Sequence, residues 1–372
     1  MADVLVYKEF IPWAKPSYWG KEKEYALEAI SSSWISGGPF VDRLEKDIAR
    51  YYGCGRALTS SNGTAALHMA FLSLGLGPGD EIIVPGFGFM AAANVGSLMG
   101  IKPVFAEVDP DTWCMRAEDV EPCVTERTKA IVPIHNYGNV CPMDTIMAFA
   151  SRKGIAVVED AAESFASRYD GKLSGTFGTI GTFSFHATKT ITTGEGGMAI
   201  TDRQDLGDLM ALYRSHGLLR KRHYWHEITG HNFRLTNMQA ALGCAQMERL
   251  EEIIRERKRI HLAYAGHLGS FDGVSMQVFT PKVDPVLWAT AVKIDSVAYP
   301  QGRDIVLQQM LAANIETRPG FYTAFGMKHL HQSGRLPVCE ALSGQIISLP
   351  TFPTLSDEQI DFICTKLKGL RR

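Results

Sequence analysis

Lys189 stands in the stretch FSFHATKTITTGEGG, residues 183–197, among hydroxyls, glycines and a histidine at the exit of an uncharged apolar run. An unperturbed lysine amine, with a pKa of about 10.4, is protonated and not nucleophilic at neutral pH. Desolvation, nearby positive charge or Schiff-base formation activates it. Taken alone, Lys189 reads as a solvated loop residue. The glycines after it lack the order of a phosphate loop, and GEGG suits a tight turn. Three other positions carry complementary chemistry. Gly63 and Thr64, in TSSNGTAALHMA, fall where a helix begins, so free N–H groups and the helix dipole face an incoming anion. Asp160 closes the apolar run IAVVED, where a carboxylate needs a cationic partner or strong hydrogen bonds. Phe89 follows the run EIIVP and offers a ring face. The plain alternatives are an ordinary N-cap at residues 63–64 and an aspartate that caps a following helix, AAESFAS.

Those residues must be positioned by an α/β framework. From about residue 55 to 205, β-branched runs (RALTS, EIIVP, KPVFAEV, KAIVPIH, IAVVED, GTFSFH, GMAIT) alternate with helical stretches such as MDTIMAFASRKG, closed by Gly154. This predicts a large, mostly parallel sheet with helices on both faces. Ligands of such sheets gather beyond the carboxyl ends of the strands. Ser60 to Thr64, His135, Asp160 and His186 are therefore expected along one edge. Residues 204–216 and 237–268 read as helices, the second a long bridge. The chain divides into residues 1–254, an N-terminal segment with a large cofactor-binding domain, and 255–372, a smaller C-terminal α+β domain, because cores rarely grow past roughly 250–300 residues.

Pyridoxal phosphate makes the demand that these residues meet. Its phosphate suits a helix start, its pyridine nitrogen a carboxylate, its ring a stacking face and its aldehyde a lysine.

The bulk composition excludes other classes. With 38 basic and 40 acidic residues, the net charge of -2 supplies no field for nucleic acid or anionic lipid. Seven scattered cysteines show no CxxC or zinc-ligand spacing, so no metal is expected and the thiols read as reduced and cytoplasmic. The N-terminal residues lack the pattern of a signal peptide. Residues 82–101 are uncharged and long enough for a membrane span, but Pro85, Gly86, Gly88 and Asn94 argue for a strand, a turn and a helix starting near Phe89.

The ordered motifs SNGTAALH, GPGDEIIVP, VPIHNYG, VEDAAES, TGEGGM and HNFRLTNMQAALGCAQMERL resemble those of the DegT-type nucleotide-sugar aminotransferases, which are fold type I, pyridoxal-phosphate-dependent transferases. The resemblance implies that Lys189 forms the Schiff base with the cofactor and carries the proton between cofactor and substrate carbons. It implies that Asp160 pairs with the pyridine nitrogen, that Phe89 stacks on the ring, and that Gly63, Thr64 and Ser184 hold the phosphate. Asn232 would reach the phosphate of a neighbouring subunit, making a homodimer with shared active sites the working unit. Glu163 stands where many members have a glutamine near the ring hydroxyl; a carboxylate there must share a proton or be neutralised. VEDAAES, SWISGG and RHYWHEITGHN are further similar to the GDP-perosamine-forming branch.

The implied reaction moves an amino group from glutamate to a nucleotide-linked keto-sugar of the GDP-4-keto-6-deoxymannose type. Arg220, Lys221 and Arg222 could meet a diphosphate, with Tyr224 beside them, and Arg318 and Tyr322 lie in RPGFYTAF, which departs from the family pattern. Tyr322 replaces a histidine expected near the sugar, and His186 is a substrate-side residue without an assigned role. That departure keeps open a sugar dehydratase or a transaminase of another, smaller ketone on the same fold and cofactor; a regulatory, non-catalytic dimer is the remaining reading.

Overall fold

The computed structural model describes residues 7–219, 221–330 and 334–372. Its strands are β1 (Arg56–Ser60), β2 (Glu81–Pro85), β3 (Lys102–Ala106), β4 (Thr128–Ile131), β5 (Ala156–Asp160), β6 (Arg168–Tyr169), β7 (Lys172–Leu173), β8 (Ile180–Ser184), β9 (Gly197–Thr201), β10 (Val274–Met276), β11 (Val283–Asp284), β12 (Ala291–Ile294), β13 (Arg318–Pro319) and β14 (Ile346–Ser348). The helices are α1 (Glu22–Ser31), α2 (Pro39–Tyr52), α3 (Gly63–Ser73), α4 (Ala91–Leu98), α5 (Ala117–Val120), α6 (Met143–Lys153), α7 (Gln204–Arg214), α8 (Asn237–Glu248), α9 (Leu250–Leu268), α10 (Arg303–Leu311), α11 (Pro337–Gln345) and α12 (Asp357–Lys368).

The main sheet has the order β1-β9-β8-β5-β4-β2-β3. β3, β2, β4, β5 and β8 pair in parallel, while β9 runs antiparallel to both β8 and β1. The two reversals cancel, so β1 points the same way as β8. The carboxyl ends of β1, β5 and β8 thus share one edge. Gly197 pairs with Ser60 on one side and Ser184 on the other, and Asp160 pairs with Thr182. Consequently residues 185–196, which carry Lys189, leave and re-enter the sheet in one register row.

α3 buries Ala65, Ala66, Leu67, Met69, Ala70 and Phe71, so it is apolar on nearly every face. This suits its place between the sheet, α4 and α7. Each such Leu, Met or Phe contributes about 1.5–3 kcal/mol by leaving water, and together these side chains fix where α3 starts. Gly154 closes α6 at φ 65, the left-handed cap anticipated from sequence. A smaller sheet, β10-β12-β14-β13, packs its own apolar cluster with α9, α10 and α12. Ile11 joins that cluster and bridges to Ile315, so the segment before α1 packs with C-terminal elements.

Two expected elements come out differently. The helix anticipated over 237–268 is two helices, broken at Arg249 (φ -110, ψ 14). Arg249 donates from Nη1 to the Trp19 carbonyl at 3.1 Å and from Nε to Glu252 at 2.6 Å. The break also re-aims the buried face: α8 is covered almost all round, whereas α9 buries a stripe of Leu250, Ile253, Arg257, Ile260, Tyr264 and Leu268. The helix expected to start near Phe89 begins at Ala91. Asn136 Nδ2 donates to the Phe87 carbonyl at 3.0 Å and holds the preceding turn open, leaving Phe89 in that turn. The uncharged stretch 82–101 is accordingly β2, this turn and α4, and no helix among the described residues is long and apolar enough to cross a membrane.

A Cβ at Gly197 would lie 2.4 Å from the backbone C and O of Asn62 and 2.6 Å from Gly63 N. Gly197→Ala is therefore expected to destabilise the protein by about 1–3 kcal/mol in urea unfolding and to weaken cofactor affinity, because the start of α3 must move off β9. Unchanged stability would show that the contact yields without cost.

Candidate active site

At the carboxyl edge of β1, β5 and β8 lies a cavity of about 970 Å³. Its anion end is built by the entry to α3. Asn62 caps that helix, its Oδ1 accepting from Ala65 N–H at 2.8 Å, and Ser60 Oγ donates to the Asn62 carbonyl at 2.8 Å. The N–H groups of Gly63 and Thr64 have no partner among the described residues. A Cβ on Gly63 would sit 3.0 Å from Ser184 Cβ and 3.3 Å from the Phe183 carbonyl, so glycine lets the helix start lie against β8. Gly63, Thr64 and Ser184 all line the cavity, as a phosphate cradle requires.

Asp160 is 4 % exposed, and its carboxylate accepts one hydrogen bond among the described residues, from Ala162 N–H at 3.2 Å. Burial raises its pKa, countered by that bond and by the charges of Lys189 and His135. An acid so placed is stabilised as the anion by a cation brought into the cavity, and a protonated pyridine nitrogen is one. Residues 161–167 form turns, so the helix-capping role for Asp160 does not apply.

The Lys189 side chain is 13 % exposed, with Nζ 3.8 Å from Glu163 Oε1 and 3.7 Å from the centroid of the Trp288 ring. Burial lowers its pKa, partly offset by Glu163 and Asp160. Glu163 accepts the Tyr137 N–H at 2.8 Å through Oε2, and burial pushes its pKa up to about 7. A group that titrates near neutrality can hold or release a proton beside Nζ, and this answers the like-charge problem that a carboxylate poses there.

The sequence reading missed the aromatic wall. Tyr137, Trp288 and Phe321 form a cluster of near-parallel rings, Tyr137 lying 6.0 Å from Trp288 (15°) and 5.2 Å from Phe321 (23°), with 6.4 Å (8°) between Trp288 and Phe321, and Trp13 meets Trp288 edge-on at 5.4 Å. Trp288 Nε1 donates to the Thr188 carbonyl at 3.0 Å. These rings come from four distant segments and share no spacing that a single sequence exposes. Phe89, 61 % exposed, lines the cavity and meets Phe321 edge-on at 6.3 Å, leaving its face available.

Of the remaining expected residues, His186, Arg318 and Tyr322 line the cavity. His186 Nδ1 lies 3.1 Å from Thr188 Oγ1, and its Nε2 is 3.9 Å from Glu195. The Tyr322 hydroxyl accepts from Arg303 Nη2 at 3.1 Å. His135 is not brought to the edge: it is fully buried, with Nε2 3.0 Å from Glu159 Oε2. Asn232 is exposed and bridges Ser215, while Arg222 lies 3.8 Å over the Trp225 ring and Tyr224 is 92 % exposed. Within one chain none of these three lines the cavity. Arg220 lies outside the described residues.

The cradle, the under-bonded buried acid, the free ring face and the desolvated lysine fit pyridoxal phosphate. A mostly parallel sheet that offers a lysine in this way belongs to the fold type I transferases. The chain is a member of the DegT/DnrJ/EryC1/StrS aminotransferase family, whose pattern matches residues 17–368. It is 40 % identical over 362 residues to a GDP-perosamine synthase from Caulobacter vibrioides, covering 95 % of this chain and 96 % of that one. It is 38 % identical over 361 residues to a GDP-perosamine synthase from Escherichia coli O157:H7, covering 96 % and 98 %. Among solved structures, a Streptococcus pneumoniae protein described as a sugar aminotransferase, in its PLP form, superposes with a TM-score of 0.92 at 26 % identity, covering 97 % and 98 %. The chain is a pyridoxal-phosphate-dependent aminotransferase.

The raised pKa of Glu163 sets a pH dependence. In the range between 4.5 and about 7 the folded apo-protein holds a proton that the unfolded chain releases. That stabilisation is fully present below about pH 4.5 and is lost as pH rises through about 7. Glu163→Gln keeps an acceptor for Tyr137 and removes the titration. Between pH 5 and pH 8 the apo variant should show a flatter stability profile than the parent, as read by denaturant unfolding. Equal pH slopes in the two proteins would contradict this.

Proposed function

We propose that this aminotransferase carries an amino group from glutamate to the ketone of a nucleotide-linked sugar, GDP-4-keto-6-deoxymannose, for surface polysaccharide or related glycan biosynthesis. The observation that carries the reading is the Lys189 amine, desolvated between Glu163 and Trp288 at the edge that also holds Asp160 and the start of α3. The names of the Caulobacter and Escherichia relatives support the GDP-linked sugar.

When bound, pyridoxal phosphate supplies the electron sink that lets an amine and a ketone exchange. Gly63 and Thr64 N–H and Ser184 Oγ bind the anion. Asp160 holds the cation opposite. Lys189 Nζ takes up and delivers the proton at the reacting carbon, and Glu163 keeps that amine from being stranded as a buried cation. The aromatic wall of Trp13, Tyr137, Trp288 and Phe321 excludes water from the amine. His186, Arg318 and Tyr322 lie on the cavity wall, where an acceptor sugar would meet them.

The same reading takes the working unit to be a homodimer, in which Asn232, Arg220, Arg222 and Tyr224 serve the partner's cavity. The positions of Asn232, Arg222 and Tyr224 away from the cavity of their own chain support this. It also takes the chain to be cytoplasmic, supported by seven free thiols.

Incubation with glutamate and a small panel of nucleotide-linked keto-sugars, followed by mass spectrometry, should show a product whose carbonyl oxygen is replaced by an amine, with the GDP sugar preferred. Loss of water from the sugar without nitrogen gain would favour the dehydratase. Lys189→Ala should lower turnover by roughly 10³-fold or more, and near-parental turnover would remove the lysine from the mechanism.

A further inference from the structure

α9 carries Arg257, 3 % exposed, inside a charge run (RERKR) that by sequence belongs to a solvated face. Its guanidinium meets no carboxylate among the described residues. Nη1 donates to the carbonyls of Leu287 at 3.0 Å and Trp288 at 2.9 Å, Nη2 donates to the carbonyl of Lys189 at 3.0 Å, and Nε has no partner. Desolvation alone lowers its pKa, to about 10, so it remains a cation at neutral pH. Burying a cation without a counter-ion is costly, and a methionine or leucine of similar volume would fill the same space without that cost. A cation buried at such a penalty calls for a role that its three acceptors can explain.

Those acceptors belong to the two segments that meet at the reactive amine. One carries Lys189 between β8 and β9, and the other carries Trp288 just before β12. Trp288 returns the link by donating Nε1 to the Thr188 carbonyl at 3.0 Å. The two segments are therefore tied at three carbonyls by one rigid planar group and once more by the indole, and Nζ ends 3.7 Å from the Trp288 ring. We infer that Arg257 is the positioning residue for the reactive amine: by gripping the Lys189 and Trp288 backbones together it sets where Nζ stands in the cavity.

A second effect follows from charge. The groups that act on Nζ are Glu163 and Asp160, which favour its protonation, and Arg257, which opposes it. Arg257 helps keep a share of the amine unprotonated, and a lysine must be unprotonated to attack an aldehyde. The inference rests on Lys189 as the cofactor lysine and not on any choice of sugar or donor, so its test uses neither.

The test compares the full-length apo-protein with Arg257→Met and Arg257→Lys. Two quantities are read: the pH midpoint for acylation of Lys189, by peptide mass mapping after a limiting dose of amine reagent, and the rate at which the apo-protein captures pyridoxal phosphate. Tyr264→Phe, which removes the hydroxyl bond to the Pro350 carbonyl from the same helix, controls for loss of stability alone. Arg257→Met should raise the midpoint and slow capture by roughly 10- to 100-fold. Arg257→Lys keeps the charge but cannot span both segments, so its midpoint should stay near the parental value while capture slows. Tyr264→Phe should change neither. Parental midpoint and capture rate in a folded Arg257→Met would overturn the inference. If that variant does not fold, a parental capture rate in Arg257→Lys overturns it instead.

Discussion

Asp160, Glu163 and Lys189 share one cavity wall with Trp288 and Tyr137, and with none of the three well solvated, their charges are settled by one another and not by water. Two acids and one amine cannot all be charged there without an excess negative charge, and burial works against each charge in turn. A bound cation opposite Asp160 leaves Glu163 and Lys189 to share a single proton over 3.8 Å. The rest of the framework can be read as what holds that arrangement: sheet register for the acid, the entry to α3 for the anion, and aromatic rings for dryness.

The framework itself was largely legible. RALTS, EIIVP and GMAIT are strands with the limits their composition suggests, because fully buried strands are written as continuous β-branched runs bounded by turn residues. Asp160, Lys189, Gly63 and Ser184 were legible for a related reason: each sits at or just beyond the end of an element whose direction the alternation of strand and helix already determines. The antiparallel course of β9 was not foreseen, since nothing in GMAIT records which neighbour it meets or in which direction.

What stayed hidden depends on contacts between distant segments. Arg257 lies among charged residues in sequence, yet it falls on the stripe that α9 buries with Ile253, Ile260 and Tyr264. Trp13 reaches the cavity through its N–H bond to Glu316 at 2.9 Å and its indole bond to Ser348 at 3.0 Å, partners more than three hundred residues away. His135 shows the reverse error. A polar residue beyond a strand was expected at the cavity edge, but Glu159, one position before Asp160, draws it inside.

The return of β9 beside β8 has a consequence for how such enzymes can diversify. Because residues 185–196 begin and end at neighbouring positions of one sheet, Ser184 and Gly197, the ends of the lysine-bearing excursion are held together whatever its interior contains. With its ends so fixed, the exposed positions between the two anchors, such as His186 and Glu195, can vary while buried Phe185, Thr190, Ile191, Thr192 and Thr193 keep the excursion packed. A residue such as His186 can then be exchanged without refolding the sheet edge that carries Ser184 and Gly197.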